Sequence, residues 1–384
     1  MGFFADISRS RKPLGGFIAI GLAWSAYFAQ MPVIKAGVEA SDRAYGLALL
    51  WASLGAVAAM WLAPWVQRRA GRFAVPLAIG VIAAGLLGAG LVPALWALAV
   101  MLLLLSAGSG VVDVLVNAEV ADLEARSGRA LMNLNHALYS FAYAGAALVV
   151  GMLRQGGWTP PQVFAGLLVL FALLARATMG KVVEVSADAP PAPDTALPAS
   201  LVWLAGGLVF FAFLTEASAE GWSALHIERG LGGSAQQGAL GPALMGLTMG
   251  IGRLSGHALA RLVPEAGLMI LACLVTAAGL AGAALAPSVA AALWSFALAG
   301  LGVSVLAPLT LALAGRAVPP QMRLAVIARV SVLGYAAFFA GPPLMGLIAQ
   351  GVSLSAAFMT VAAVMAVVGM TLVPLLVRVS LRTR

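Results

Sequence analysis

The sequence is poor in the residues from which most catalytic and metal centres are built. Of its 384 residues, one is cysteine, three are histidine and 9% are charged. The single cysteine, Cys273, excludes a disulfide framework and a thiolate metal cage. His136, His226 and His257 are too far apart in the chain to indicate a metal site. We therefore expect no metal and no cofactor.

The chain also lacks the loops and residue sets that drive chemistry. It has no glycine-rich loop followed by lysine that would bind nucleotide phosphates, so ATP is not the expected energy source. No nucleophile–base–acid set stands out, which disfavours an integral-membrane enzyme. The net charge of +8 could indicate a nucleic-acid partner. The basic residues are scattered between apolar runs, however, so we exclude one.

Apolar residues dominate instead. They make up 62% of the chain, and the mean hydropathy is +1.01. A soluble domain carries about 25% charged residues, so the bilayer must be the solvent of this protein. A window of about 20 apolar residues predicts twelve spanning helices. They cover roughly 15–36, 45–66, 73–92, 94–118, 130–153, 161–179, 200–225, 236–259, 266–286, 289–314, 324–348 and 353–377. The first is expected to be a retained helix, because no signal-peptide cleavage site follows it.

The basic residues fall mainly in alternate loops, which predicts the orientation. One side holds the N-terminal segment, Arg68, Arg69, Arg72, Arg126, Arg129, Arg176, Lys181, Arg253, Arg261, Arg316, Arg323, Arg378, Arg382 and Arg384. The other side holds only Lys35, Arg43, Arg154 and Arg229. The heavily charged side is predicted to be cytoplasmic, and both termini are expected there.

A polar stretch divides the predicted helices into two sets of six. Gly180–Ser200 contains four prolines and three acidic residues, as expected for a linker. We predict an N-terminal six-helix bundle at 1–180, a cytoplasmic linker at 181–199 and a C-terminal six-helix bundle at 200–384. Similar turns of glycine and arginine follow the second helix of each half, at 68–72 and 250–261. Such parallel repeats are typical of transporters with two six-helix halves.

These turns resemble, in degraded form, the Gly-x-x-x-Asp-Arg-x-Gly-Arg loop motif of the major facilitator superfamily, which the whole chain resembles. Arg68 and His257 stand at the acidic position of the motif, a departure that puts its usual gating salt bridge in question. Four further segments resemble a bacterial subgroup distantly similar to fucose-permease-type sugar:proton symporters. They are Asp113-Val-x-x-Asn117, Gly128-Arg129-x-Leu-Met132, His136-x-x-x-Ser140 and Glu216-x-x-x-x-Gly221-Trp222-Ser223-Ala224. The resemblance implies an all-α integral membrane fold of two pseudo-symmetric bundles that work by alternating access.

Two neighbouring spans carry polar residues, which are costly in a bilayer and therefore candidate functional residues. Asp113 and Asn117 share one face of the fourth span. His136, Tyr139 and Tyr143 lie on one stripe of the fifth span. The first three are candidates for gating or proton coupling, and the two tyrosines are candidates for substrate binding. The alternative is a hydrogen-bonded clamp between the two helices.

The seventh span carries two acids, Glu216 and Glu220, one turn apart. Two carboxylates at this spacing repel each other, and an apolar environment disfavours their charged form. At least one is expected to bind and release a proton near neutral pH, which proton coupling requires. The alternative for Glu220 is that it caps or hydrates the outer end of the helix. Arg329 in the eleventh span can pair with an acid, take an anionic substrate group, or extend to the membrane surface.

The first span supplies the remaining candidates for substrate binding. Trp24, Tyr27 and Gln30 lie on one face, where rings can stack on a solute and an amide can orient it. Glu216 and Trp222 are expected across from them, although Trp222 could instead belong to an interfacial aromatic belt.

Together these features predict a monomeric, multi-pass secondary active transporter of the bacterial inner membrane. We expect it to move a small polar or amphipathic solute, by symport with protons. Its partners would be that solute, protons and membrane lipids. Two alternatives stay open: an exporter of drugs or other lipophilic compounds, and a membrane receptor that binds without transport.

Overall fold

The computed structural model describes residues 3–127, 129, 131–180, 197–259 and 264–383. These residues form α-helices joined by short turns. In chain order the helices are α1 (Phe3–Arg9), α2 (Arg11–Gly37), α3 (Asp42–Ala70), α4 (Ala74–Leu91), α5 (Leu95–Ser127), α6 (Met132–Gln155), α7 (Pro160–Ala177), α8 (Ala199–Leu225), α9 (Ala235–Leu259), α10 (Glu265–Ala284), α11 (Val289–Val303), α12 (Leu306–Arg316), α13 (Pro320–Tyr335), α14 (Ala337–Gly351) and α15 (Leu354–Thr383). Most of the predicted linker, 181–196, lies outside the described residues, as do Arg261 and the side chain of His257.

The helices match the prediction of a multi-pass membrane protein. Within the described ranges, ten helical segments are long and apolar enough to cross a bilayer. Each of the twelve predicted windows overlaps a helix or a pair of consecutive helices. The number twelve remains a prediction, because α9 is not among the ten segments and one segment joins the end of α3 to α4.

Two predicted spans are broken rather than continuous, which corrects the sequence analysis. The window 289–314 is divided into α11 and α12, and 324–348 into α13 and α14. Proline explains the first break, because it has no N–H for the carbonyl four residues earlier. Pro308 leaves the carbonyl of Ser304 at the first break without that bond. Pro342 leaves the Phe338 carbonyl without that bond inside α14, where the helix nevertheless continues, and the Ser53 hydroxyl of α3 donates to this carbonyl at 2.5 Å.

The predicted turns of glycine and arginine are only partly turns. After α3, Gly71 adopts a positive φ of 54° and begins a short 3-10 turn, Gly71–Phe73. After α9 the prediction of a turn from Gly250 is wrong, because the helix continues to Leu259. Gly250 lies against the side chain of Ser140, so its missing Cβ permits close helix packing there.

Consecutive loops lie at opposite ends of the bundle. We call the end with the loops near residues 71, 129, 180 and 318 the basic end, and the other the opposite end. We call α2–α7 the N-terminal helices and α8–α15 the C-terminal helices. The two groups meet where α6 packs along α9 and α3 packs along α14.

These two contacts depend on small residues near the opposite end. A Cβ added at Gly46 would lie 2.5 Å from the carbonyl oxygen of Pro342, and one at Gly346 would lie 2.5 Å from that of Asp42. At the other contact, a Cβ on Gly151 would lie 2.6 Å from the Cβ of Ala239. The helix backbones therefore approach each other more closely here than larger side chains would allow.

Candidate functional site

A cleft of about 520 Å³ lies between the N-terminal and C-terminal helices. Asp113 and Asn117 of α5 and His136 of α6 form one wall, and Ser331 and Tyr335 of α13 lie on the other. These residues come from the parts of their helices nearer the basic end, so the cleft belongs to that side of the bundle. The structure thus brings together the three polar candidates of the fourth and fifth predicted spans.

The first wall carries a continuous hydrogen-bonded chain. The amide nitrogen of Asn117 donates to Asp113 Oδ1 at 2.9 Å and to its backbone oxygen at 2.8 Å. Asn117 Oδ1, which can only accept, lies 3.2 Å from His136 Nε2. The imidazole therefore donates from Nε2 in this arrangement. The ring of Phe17 lies 4.8 Å from the imidazole, centroid to centroid, and covers one side of the chain.

A second cluster of polar side chains is centred on Arg253 of α9 and connects three helices. One guanidinium nitrogen lies 3.4 Å from Glu216 Oε1 of α8, and another lies 3.3 Å from Ser140 Oγ of α6. The close packing of Gly250 on Ser140 brings this part of α9 near α6. Arg253 thus contacts the N-terminal and the C-terminal helices at once. Both its contacts are long, so the guanidinium keeps donors for other acceptors.

The second acid of α8, Glu220, has no hydrogen bond or ion pair among the described residues. It lies close enough to Glu216, Tyr139 and Tyr143 to interact with them electrostatically. The tyrosine rings are 6.3 Å apart. This arrangement places the two acids and the two tyrosines in one region beside Arg253.

The aromatic candidates of the first predicted span are packed away from the cleft. The hydroxyl groups of Tyr27 and Tyr45 are 2.8 Å apart, and the ring of Trp222 meets Tyr45 edge-on at 5.8 Å. All three side chains are fully buried. Trp24 donates from Nε1 to Ser109 Oγ at 3.1 Å. These aromatic side chains join α2, α3, α5 and α8 and, in this arrangement, do not line the cleft.

Two further candidates carry buried polar atoms without partners among the described residues. These atoms are the side-chain amide nitrogen and oxygen of Gln30 and the hydroxyl oxygen of Tyr143. A buried polar group that makes no hydrogen bond costs about 1–3 kcal/mol. Gln30 and Tyr143 therefore have hydrogen-bonding capacity that another arrangement of the helices, or a bound solute, could use.

Ion pairs between the two groups of helices close the opposite end. Arg154 of α6 holds both carboxylate oxygens of Glu228, with Nη1 2.6 Å from Oε1. Arg154 also donates to the carbonyl of Ala29 at 3.0 Å. The side chains of this pair are only 8% and 15% exposed. Glu228 lies in a π-helical turn, His226–Gly230, that follows α8.

The next residue of the same turn makes a second ion pair between the groups. Arg229 binds both carboxylate oxygens of Asp42 at 2.9 and 2.5 Å, and Lys35 lies 2.9 Å from Asp42 Oδ1. Asp42 precedes the predicted span at 45–66. Burial alone would raise the pKa of Asp42, but Arg229 and Lys35 outweigh it and hold that pKa below its ordinary value. Asp42 therefore stays ionised and paired.

Arg329 does not join any of these polar groups. It lies on an adjoining face of α13, in a separate cleft with Val202 and Trp203 of α8. It forms no ion pair with an acid in the described part of the chain, and its side chain is exposed. Its predicted part in proton coupling or gating stays a prediction without a contact that supports it.

Comparison with known proteins decides the family. A sequence model described as Major Facilitator Superfamily matches residues 206–384. An uncharacterised MFS-type transporter of Yersinia pestis is 32% identical over 349 residues, which cover 90% of each chain. The chain belongs to the major facilitator superfamily. This MFS protein is therefore a multi-pass membrane transporter of the bacterial inner membrane, and the resemblance read from its motifs is confirmed.

Solved structures agree on the fold of this MFS transporter. The structure of a bacterial homologue of the human lysosomal transporter Spinster, inward-facing and occupied, superposes with a TM-score of 0.74 at 15% identity. That match covers 99% of this chain and 98% of the other. A variant of the Escherichia coli fucose:proton symporter gives a TM-score of 0.61 at 14% identity, with coverage of 95% and 98%.

Sequence reasoning missed Arg253 and the ion pairs at the opposite end. Arg253 was assigned to a loop, whereas its side chain lies beside Glu216. At the opposite end, the sequence analysis counted only basic residues, to assign the orientation, and did not consider that these few residues could pair with acids. The sequence did contain a signal for these ion pairs, because acidic and basic residues occur together in loops that otherwise carry little charge. They are Lys35, Asp42, Arg154, Glu228 and Arg229.

Proposed function

We propose that this MFS transporter couples proton movement to the movement of a small polar or amphipathic solute by alternating access. The contact of Arg253 with Glu216 of one group of helices and Ser140 of the other carries the proposal. A proton on Glu216 would neutralise the acid that pairs with Arg253. This would change the contact of Arg253 with both groups of helices. The closed opposite end and the cleft at the basic end support an inward-facing arrangement.

The two acids of α8 would share the proton that is coupled to transport. Glu216 has Arg253 as its partner, whereas Glu220 has none. Two carboxylates one turn apart repel each other when both are ionised, so a proton on one of them allows the other to stay charged beside Arg253. When Glu216 is neutral, the guanidinium donors can bind an acceptor group of the solute. Asp113, Asn117 and His136 would then carry the proton between this pair and the cytoplasm.

The solute would be bound where the two groups of helices meet. Tyr139, Tyr143 and Gln30 offer hydrogen-bonding groups. Tyr143 and Gln30 have buried polar atoms without a hydrogen-bond partner among the described residues. The aromatic side chains of Trp24, Tyr27 and Trp222 would line the site once the opposite end opens. Rings with a few polar groups suit a sugar-like or amphipathic solute.

The topology completes the proposal. Counting α11 with α12 and α13 with α14 as one span each gives twelve spans. Both termini and the linker at 181–199 would be cytoplasmic, as the basic residues predict. The bundles 1–180 and 200–384 would move as two units within a monomer.

Transport in proteoliposomes tests the proton role of Glu216. A thermal-stability screen of sugars, nucleosides, amino acids and organic acids first identifies a ligand, because a ligand that binds the folded protein stabilises it. We expect Glu216→Gln to retain exchange of that ligand across the membrane but to lose accumulation driven by a pH gradient. Glu265→Gln is the matched control, since it removes an acid paired with Arg316 at the basic end. Accumulation that survives both Glu216→Gln and collapse of the gradient would refute the proton role.

A further inference from the structure

The cleft that contains Arg329 has a composition unlike that of the polar cleft. It encloses about 380 Å³ between the first turns of α8 and the second half of α13. Its walls are apolar and include Val202, Trp203, Val332 and Leu333, and among the described residues Arg329 is the one charged residue that lines it. Trp203 is 67% exposed and Val332 is 61% exposed. An exposed indole beside exposed aliphatic groups is typical of a surface that lipid covers.

The position of Trp203 fixes the depth of this cleft. Trp203 lies in the second turn of α8, about 6 Å along the axis from the start of that helix. The cleft is therefore close to the basic end, at the level where tryptophan meets lipid headgroups. Because Arg329 lines the same cleft, it lies at this level too. Arg329 is four residues from the start of the apolar segment Ala325–Gly351, about 6 Å along the axis, which agrees with the depth of Trp203.

The charge at this site has no counterpart in the described part of the protein. No acidic residue within the described ranges lines the cleft, and Glu265 at the same end is engaged by Arg316. An exposed guanidinium can donate two parallel hydrogen bonds to a phosphate. The apolar walls below it match the upper part of an acyl chain. We propose that this cleft binds an anionic phospholipid of the adjoining leaflet, with the phosphate on Arg329 and the acyl chain against Val202, Val332 and Leu333.

The bound lipid would touch a helix that also borders the polar cleft. Ala328 and Val332 line both clefts, and α13 ends at Tyr335, which lines the polar cleft. The lipid site therefore adjoins the cytoplasmic mouth of the proposed pathway. The proposed lipid site depends only on the geometry of α8 and α13, so its test does not depend on whether transport is coupled to protons.

Lipid retention measured by native mass spectrometry tests the site. The protein is reconstituted in phosphatidylcholine vesicles with or without phosphatidylglycerol, and lipids that remain bound after extraction are counted. We expect wild type to retain one phosphatidylglycerol that Arg329→Gln binds about fivefold more weakly, the effect of one arginine at an anionic membrane surface. Arg176→Gln, which removes an exposed arginine from the last turn of α7 at the same end, should leave retention unchanged.

Three results would overturn the proposal. They are equal loss of lipid in the two variants, equal retention of phosphatidylcholine and phosphatidylglycerol by wild type, and displacement of the bound lipid by inorganic phosphate alone. The last would indicate a phosphate site rather than a lipid site. The thermal stability of all variants in phosphatidylcholine is compared first, and Arg329→Lys, which keeps the charge, should retain most of the lipid if folding is intact.

Discussion

Neutralising Glu228 should open the opposite end of the bundle. In wild type the Arg154 side chain is 8% exposed and donates to both oxygens of Glu228. Glu228→Gln leaves the cation in the same buried place with a neutral partner. Hydrogen bonds to charged groups contribute about 1.5–3 kcal/mol each, so a loss of about 2 kcal/mol is a conservative value. Because the pair joins the two groups of helices, this loss should raise the ratio of open to closed molecules about 30-fold.

Distances between spin labels at the opposite end measure that ratio. Two exposed loop residues at this end can carry the labels. Trp158 follows α6 of the N-terminal helices and is 48% exposed, and Leu285 follows α10 of the C-terminal helices and is 74% exposed. Cysteines placed there can be labelled selectively, because the one native cysteine, Cys273, is buried. Wild type should give one distance, and Glu228→Gln should add a longer one. The exchange of charges, Arg154→Glu with Glu228→Arg, should restore most of the short distance.

The control for this experiment is Glu265→Gln, which breaks an ion pair at the basic end that does not join the two groups. It should leave the label distance unchanged. The reasoning is refuted if Glu228→Gln gives the wild-type distance alone. It is also refuted if the exchanged charges open the end as far as Glu228→Gln does, since the pair would then not be holding the groups together.

Two other predictions concern the same closed end. A Cβ at Gly46 would lie 2.5 Å from a backbone oxygen of α14, so Gly46→Ala should lower stability by about 1–3 kcal/mol in a thermal-unfolding assay. Gly145→Ala, where a Cβ meets nothing within 4 Å, should not. The lowered pKa of Asp42 means that its ion pairs are complete above its ordinary pKa of 3.8 and are lost as the pH falls through the lowered value. Acid strong enough to protonate Asp42 should therefore lengthen the label distance, and Asp42→Asn should give a longer distance than wild type already at neutral pH.

The sequence predicted the membrane fold well because hydropathy and loop charge are local properties. The windows of apolar residues depend only on the residues within them, and each overlaps a helix in the structure. The break at Ser304 was missed although Pro308 was visible, and Pro342, which was equally visible, lies inside the continuous helix α14 rather than at the break at Ala336. A proline within a span can either kink a helix or divide it, and tertiary contacts decide which. The contact between Ser53 and the Phe338 carbonyl joins residues far apart in the chain.

The candidate site was predicted only in part, for a physical reason that its residues illustrate. Periodicity placed Asp113 and Asn117 on one face, and the structure joins them to His136 as one chain. Periodicity cannot give the reach of a long side chain from another helix, so Arg253 was not connected to Glu216. It also does not distinguish a residue that lines a cleft from one that packs between helices, which is the position of Tyr27 in this structure.

The breaks in the spans have a consequence for how the two halves would share the work of transport. The broken spans, α11 with α12 and α13 with α14, both belong to the C-terminal half. Their counterparts in the N-terminal half, α5 and α6, run unbroken for 33 and 24 residues. A broken helix bends at low cost, whereas an intact one moves as a rod. The N-terminal half is thus suited to stay rigid, and the short segments α12 and α13 are suited to move at the basic end of the bundle. Such asymmetry makes two structurally similar halves mechanically different.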